Sequence, residues 1–263
     1  MRLVTWNINS LKLRLPRVQE WLAAQQPDIL ALQETKVQDA DFPRLELEAA
    51  GYHVVYAGQR SYNGVAVLSR WPVTHVVTAL PGFTDPQMRV LAVTIGGLRL
   101  VSLYAPNGQA VGSEKYAYKL QWLEAATALL RAEYVEHPLL AVVGDFNIAP
   151  EDCDVHDPDI WRGQIMCSEE ERAVFRAWQG LGLQDAYRLF DQPEKTFSWW
   201  DYRQLSFPKN AGLRIDHILL SQELAPLCTA CRIDRQARKG QKPSDHAPVM
   251  AELALDMGAP APP

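Results

Sequence analysis

No stretch of this chain approaches the roughly eighteen uninterrupted apolar residues that a membrane-spanning helix requires, which excludes such a helix. Cysteine is scarce too: Cys153, Cys167, Cys228 and Cys231 are the only four. Cys228-Thr-Ala-Cys231 has zinc or redox spacing, but the other two form no matching pair. The main reading is of reduced thiols packed as small apolar groups, with zinc or disulfide roles as lesser alternatives. Three catalytic signatures are missing. The lack of His-Glu-x-x-His counts against a zinc hydrolase, the lack of G-x-x-x-x-G-K-[ST] against nucleotide-driven chemistry, and the lack of G-x-S-x-G against a serine hydrolase. No basic segment followed by an apolar one opens the sequence, so a cytoplasmic location is expected rather than secretion. Bulk positive charge is also absent. A net charge of −5 argues against a protein that coats nucleic acid electrostatically. A local basic rim remains compatible with it: Lys12, Arg14 and Arg17 cluster, as do Arg232, Arg235, Arg238, Lys239 and Lys242, although solvated loops would look the same.

What is present is a 263-residue chain with 48% hydrophobic residues, enough for a large core. No linker divides it. Residues 1–256 are read as one catalytic domain, and the Pro- and Ala-rich stretch 257–263 as a frayed tail. Strand-like runs cover Leu3 to Ile8, Ile29 to Gln33, Val65 to Leu68, Val73 to Thr78, Val90 to Ile95, Leu98 to Tyr104, Leu139 to Val143, Leu213 to Leu220 and Pro248 to Leu253. Helical periodicity spans Pro16 to Ala24, Glu114 to Glu136 and Glu169 to Gln179, the last opened by a Ser168/Glu171 capping box. Short turns between runs, such as Val65–Leu68 with Val73–Thr78, suggest hairpins. A mixed, largely antiparallel core of two packed sheets with helices outside fits this pattern best. Leu3-Val-Thr-Trp-Asn-Ile8 and Ala141-Val-Val-Gly-Asp-Phe-Asn-Ile148 echo each other, so their polar ends are expected to meet at one rim.

Residues with metal or acid–base ability recur where apolar strands end. Asn7 and Asn9 follow the first strand, Glu34 the second, and Asp145 and Asn147 the run from Leu139. Asp216 and His217 interrupt another run, and Asp245-His246 precede the last. One such residue is usually a turn former; five sites, all acid, amide or imidazole, point to a rim where loops carry function. Carboxylate and amide oxygens suit Mg²⁺ or Mn²⁺. With His and Asp at hand for proton transfer, the combination suits attack of water on a phosphodiester. His53, His75, His137 and His156 are read as surface or turn residues, and the acidic stretch Glu151–Asp159 as a solvated loop beside the Asp145 strand.

Six segments now become recognisable in order: Val4-Thr-Trp-Asn-Ile-Asn9, Leu32-Gln-Glu-Thr-Lys36, Leu103-Tyr-Ala-Pro-Asn-Gly108, Gly144-Asp-Phe-Asn147, Leu213-Arg-Ile-Asp-His-Ile218 and Ser244-Asp-His-Ala-Pro248. Together they resemble the exonuclease III family of AP endonucleases, within the endonuclease/exonuclease/phosphatase superfamily. The run Phe197-Ser-Trp-Trp-Asp-Tyr-Arg203 resembles the DNA-repair branch in particular. The resemblance implies an α/β four-layer sandwich, and a Mg²⁺-dependent enzyme (Mn²⁺ a substitute) that cleaves duplex DNA 5′ to abasic sites. Exonuclease or 3′-end trimming activity would accompany it. A superfamily phosphatase acting on inositol phosphates or phospholipid head groups is the alternative. The resemblance makes Glu34 the principal metal ligand, with Asn7 and Asp245 beside it. It gives Tyr104, Asp145, Asn147, Asp216 and His246 catalytic roles, Asp145 as acid/base and Asp216 as the orienter of His246. Asn9 stands where Asp is common, and an amide is the weaker ligand. Lys36 and Asn107 are implied DNA contacts. Trp199, Leu213 and Ile215 would wall a pocket for the base-less sugar, with Arg203 pressing into the duplex. Trp200 is assigned to the core, and the protein is expected to be monomeric.

Overall fold

The computed structural model describes residues 1–260 and 262–263. Among the described residues, twelve strands form two sheets. They are β1 (Arg2–Asn7), β2 (Ile29–Gln33), β3 (His53–Ala57), β4 (Val65–Ser69), β5 (Val73–Val77), β6 (Val90–Ile95), β7 (Leu98–Tyr104), β8 (Leu140–Asp145), β9 (Gln184–Asp185), β10 (Asp216–Leu220), β11 (Cys228–Ile233) and β12 (Val249–Leu253). The first sheet runs β11-β12-β1-β2-β4-β3 and the second β5-β6-β7-β8-β10-β9. Only β1/β2 and β7/β8 pair in parallel; every other pairing is antiparallel. The helices are α1 (Leu11–Gln25), α2 (Arg44–Glu48), α3 (Glu114–Glu136), α4 (Pro158–Trp161), α5 (Glu169–Gly180) and α6 (Ser206–Lys209).

Period-two alternation in the apolar strands builds the layers. Leu3, Ile29, Val67, Leu100, Val143 and Leu220 point into the space between the sheets. Their neighbours point outward. Val4, Leu30 and Leu68 meet Val18, Trp21 and Leu22 of α1. Val101, Val142 and Leu219 meet Trp122 and Leu130 of α3 and Phe175 and Trp178 of α5. Helix, sheet, sheet, helix: the expected four-layer sandwich is present.

α3 has the expected bounds, and Ser168 and Glu171 form both bonds of the capping box. α1 starts five residues before Pro16, because Ser10 N–H and Leu11 N–H donate to the carbonyls of Glu34 and Thr35 and so begin the helix without a side-chain cap. β4 and β5 form no hairpin. β4 is already flanked by β2 and β3, so the chain crosses to the other sheet between them. The strand expected from Leu213 begins at Asp216, since Leu213 bridges to Trp199 and Val155 instead. β3, β9 and β11 were not anticipated. The acidic stretch is not wholly solvated: Asp154 is buried against Arg214 (Nε to Oδ1 2.6 Å). Cys167, Cys228 and Cys231 are buried and Cys153 exposed, all four as free thiols. Within the stretch read as a tail, Met257 packs on the inter-sheet core and Gly258 O accepts from Trp71 Nε1 (3.2 Å); residue 261 lies outside the described residues.

Candidate active site

Strand direction decides where the polar ends go. β1, β2, β7 and β8 finish at one edge of the sandwich, and the antiparallel β10 and β12 begin there. The register sets Tyr104 opposite Asp145 and Asp145 opposite Asp216 in one sheet. In the other, Asn7 lies opposite Gln33, the residue before Glu34. Asn7 Nδ2 bridges the two sheets, donating to Glu34 Oε2 and to Asp145 Oδ2 at 2.9 Å each. The echoing ends of β1 and β8 thus meet, as expected.

Gly144, just before Asp145, has φ +142°, and a Cβ there would lie 1.9 Å from Leu103 O. Only glycine lets β8 approach β7 so closely at the point where the carboxylate is presented. Glu34, Lys36 and Asn147 have φ of 56°, 55° and 50°. Left-handed non-glycine backbone costs energy and marks segments that the surroundings over-determine.

A carboxylate–imidazole chain runs through the site. His246 Nδ1 lies 2.8 Å from Asp216 Oδ2, and its Nε2 3.8 Å from Asp145 Oδ2. Asp216 is held in turn by Ser198 Oγ at 2.7 Å. Burial works against charge on His246, but the Asp216 and Asp145 carboxylates outweigh it and hold the imidazole up at about 10. Asp216 therefore faces an imidazolium, with Nδ1–H donating. Burial pushes the Asp145 carboxyl up to about 7, although His246 opposes the shift. Asp145 Oδ1 accepts the Asn147 N–H at 2.9 Å. Burial, then the Glu34 and Asp145 charges, drive the Tyr104 phenol well above its ordinary value, so it stays protonated.

A second chain lies beside the first. Lys36 Nζ contacts Glu34 Oε1 and Asn9 Oδ1, both at 2.8 Å. Asn9 Nδ2 donates to Asp245 Oδ1 (2.8 Å), and Trp199 Nε1 to Asp245 Oδ2 (3.0 Å). Burial raises Asp245, yet the His246 charge and these two donors bring it below the ordinary carboxylate range. Asn9 spends both ends of its amide on Lys36 and Asp245. Asn107 Nδ2 approaches Asn147 Oδ1 at 3.4 Å.

The outer residues expected to read a lesion are placed differently from one another. Trp199 is half-buried at the rim, bridged to Leu213 and to His246. Leu213 and Ile215 are fully buried beneath it, in an apolar cluster with Val155, Met166 and Cys167. Arg203 extends into solvent, paired with Asp201 (2.6 Å), at the mouth of a cavity of about 380 Å³ that Trp199, Trp161 and His156 also line. Trp200 is in the core. The two basic clusters come together, because Arg14 and Arg17 donate to the carbonyls of Lys242, Gln241 and Lys239.

Sequence reasoning missed several supporting side chains. Arg89 lies 4.7 Å above the Tyr104 ring and donates to Tyr104 O at 3.1 Å. Lys119, buried on α3, donates to Asn147 O. A signal existed for Lys119: it falls on the helix face of Tyr116 and Leu123, where a charge has no reason to be unless it is paired.

Among solved structures the chain is similar to a 3′-5′ exonuclease from Neisseria meningitidis, at 45% identity and a TM-score of 0.95, covering 97% of this chain and 100% of the other. It is similar to an AP endonuclease from Archaeoglobus fulgidus at 35% identity and a TM-score of 0.93, covering 97% and 100%. Its sequence is 36% identical to the exodeoxyribonuclease III of Haemophilus influenzae, over 96% of this chain and all of that one. Residues 4–246, which contain Asn7, Glu34, Tyr104, Asp145, Asp216 and His246, match one family throughout, and the chain belongs to it: the Endonuclease/Exonuclease/phosphatase family.

Proposed function

We propose that this protein is a DNA-repair nuclease of the exodeoxyribonuclease III type, which hydrolyses the backbone of duplex DNA on the 5′ side of an abasic site with the help of Mg²⁺. One observation carries the chemistry: the Asp216–His246–Asp145 chain stands directly against the carboxylate pair Glu34 and Asp145. That pair fits a hard divalent cation, because Glu34 Oε2 and Asp145 Oδ2 converge on one neutral amide donor, Asn7 Nδ2, while Lys36 holds the other Glu34 oxygen and the Asn147 N–H the other Asp145 oxygen. Asp145, Asp216 and His246 also present donor atoms within 4.8 Å of one another. Asp216 has both oxygens engaged by His246 and Ser198, however, and a protonated imidazole is no ligand. The reading therefore gives the ion to Glu34, with Asn7 and Asp145 adjoining and Asp245 farther out behind Asn9.

When bound, the cation screens the charge that gathers on the phosphate. The remaining roles belong to side chains. The His246 imidazolium donates to a phosphate oxygen through Nε2, held at the right angle by Asp216. Asp145, poised near neutrality, takes the proton of the attacking water, while the Asn147 N–H fixes which carboxylate oxygen faces it. Tyr104 offers a phenolic hydrogen to the phosphate, and Lys36 and Asn107 grip the strand. Trp199 with Leu213 and Ile215 beneath forms the apolar wall against which a base-less sugar rests, and Arg203 enters the duplex from the rim. One chain suffices for this site, so the active species is a monomer.

A second reading adds 3′-end processing. The similar Neisseria protein is described as a 3′-5′ exonuclease in one solved structure and, bound to a product DNA hairpin, as a 3′ phosphatase in another. A gel time course on three labelled duplexes, abasic, 3′-phosphate and blunt intact, tests both. Fastest nicking of the abasic duplex supports the first reading, and preferential loss of the 3′-phosphate the second. No reaction on any duplex with Mg²⁺ present, alongside phosphate release from inositol polyphosphates, would refute both.

A further inference from the structure

Lys119 and Glu171 have no exposed surface, form an ion pair with each other, and lie behind the two asparagines rather than in the site itself. An ammonium group has three hydrogens to give. Lys119 gives one to Glu171, one to Asn147 O at 2.7 Å and one to Asn107 O at 3.2 Å. Glu171 is equally committed. Its Oε1 accepts the Met166 N–H (3.0 Å), and its Oε2 accepts Ser168 N–H (3.0 Å) and Ser168 Oγ (2.6 Å). Four segments converge on this pair: the loop after β7, the loop after β8, α3, and the turn into α5. Gly108 fits over the lysine stem, and a Cβ there would lie 2.9 Å from Lys119 Cδ and 2.8 Å from Ile165 Cδ1.

A buried ion pair is seldom the most stabilising way to fill a core, and apolar replacements are often neutral or better. This one does something an apolar pair cannot. The loops carrying Asn107 and Asn147 belong to adjacent parallel strands, and their side chains touch only at 3.4 Å. At their base the loops are joined by Ala105 N–H donating to Asp145 O (2.9 Å) and Asn147 Nδ2 donating to Ala105 O (3.0 Å); farther out, the carbonyls of Asn107 and Asn147 are joined by one cation, Lys119, from which both accept. Asn147 in turn holds Asp145 through its N–H, so the carboxylate inherits the placement.

We infer that Lys119, paired with Glu171, is a positioning residue that sets the separation of Asn107 and Asn147 and thereby the aim of Asp145. Through Glu171 and the Met166 N–H it also ties that phosphate grip to the Met166–Cys167 side of the apolar cluster. The inference rests on the nuclease reading above.

The test uses the full chain, Mg²⁺ and a duplex with one tetrahydrofuran lesion. Lys119→Met is expected to lower both the melting temperature and kcat, since it strands a buried carboxylate. Combining it with Glu171→Gln removes that stranded charge. The melting temperature should then recover in part, the new NH₂ still facing a donor, while kcat stays about ten- to a hundredfold down, the effect of a roughly ångström-scale misplacement. KM should rise by a smaller factor than kcat falls, because displacing Asn107 loosens the grip on the strand while displacing Asp145 costs transition-state alignment. If kcat recovers in step with the melting temperature, the pair is merely structural and the inference fails. Lys119→Gln keeps a smaller donor in place and provides a second route. Its cost in kcat should shrink in an Asn107→Ala background, through which part of its effect passes, and an equal cost in both backgrounds overturns the claim. Failure of the unsubstituted protein to nick the duplex would sink the nuclease reading instead.

Discussion

Replacing the Asp145 carboxylate with an amide should inactivate the protein and stabilise it. In the cation-free state this buried group carries its charge only against resistance, its carboxyl being pushed up to about 7 from an ordinary 3.8. At pH 8 that difference, close to three pH units, is worth about 4 kcal/mol of lost stability. Asp145→Asn abolishes this penalty but introduces another. The two carboxylate oxygens accept from Asn147 N–H and Asn7 Nδ2, and an amide accepts from only one of them. Turning its NH₂ toward the other donor costs about 1–3 kcal/mol. The net gain is about 1–3 kcal/mol, or about 2–8 °C in melting temperature for a chain of this size. The sign depends on pH. A raised carboxyl pKa penalises the folded state increasingly between the unfolded and folded values, so the variant should be the less stable protein near pH 4, overtake the parent as pH rises toward 7 and hold a level advantage above it. Thermal melts in chelator across that range would show it, and added Mg²⁺ should raise the parent more than the variant. Turnover should fall by about 10²- to 10⁴-fold, the range for loss of a positioned acid/base, with lesion binding retained. A variant less stable at pH 8, a gap that ignores pH, or near-normal turnover would each refute the reasoning.

Three further outcomes are expected. Glu34→Ala should weaken the dependence of incision on Mg²⁺ concentration, shifting the half-saturating level upward by about tenfold or more if a charge-bearing ligand is lost; an unchanged titration curve would move the metal elsewhere. Trp199→Ala should reduce discrimination between abasic and intact duplex, by about 0.5–1.5 kcal/mol for the loss of a half-buried aromatic contact, and unaltered discrimination would take it out of the pocket. The third concerns acid. His217 Nε2 donates to Ile148 O at 2.8 Å and its Nδ1 accepts from Arg214, so the neutral ring is the one that fits; burial first, then the Arg214 charge, hold its pKa down at about 4. The stability this group contributes is complete above its ordinary 6.5 and should drain away by about 3 kcal/mol as pH falls toward 4, visible as a gentler acid slope in denaturant titrations of His217→Gln.

Much of this was legible in the residues because the informative features are local. α3 and α5 have long periodic faces and, for α5, a capping box, so their bounds could be read directly. The polar ends of β1, β2 and β8 stood out because each interrupts an apolar run. β11 escaped because a bulge between Cys228 and Ala230 breaks its alternation, and β3 because it is a short run closed off by glycines on both sides. Partner choice between β4 and β5 is a long-range matter, as nothing in Val73–Val77 says which sheet has an open edge. The same holds for Asp154, whose solvent-like neighbours conceal that Arg214 waits for it sixty residues on. Buried ion pairs look like surface charges until both halves are placed.

The first strand and the last lie side by side, and Trp6 Nε1 reaches across 240 positions to the carbonyl of His246. β12 sits between β11 and β1, so Asp245 and His246, which lead into it, are placed by the closing of that sheet. Closing the first sheet and gathering the site's polar groups are therefore a single event: the register that sets Thr5 against Val249 also brings Ser244 to the Asn7 carbonyl and Asp245 to the Asn9 amide.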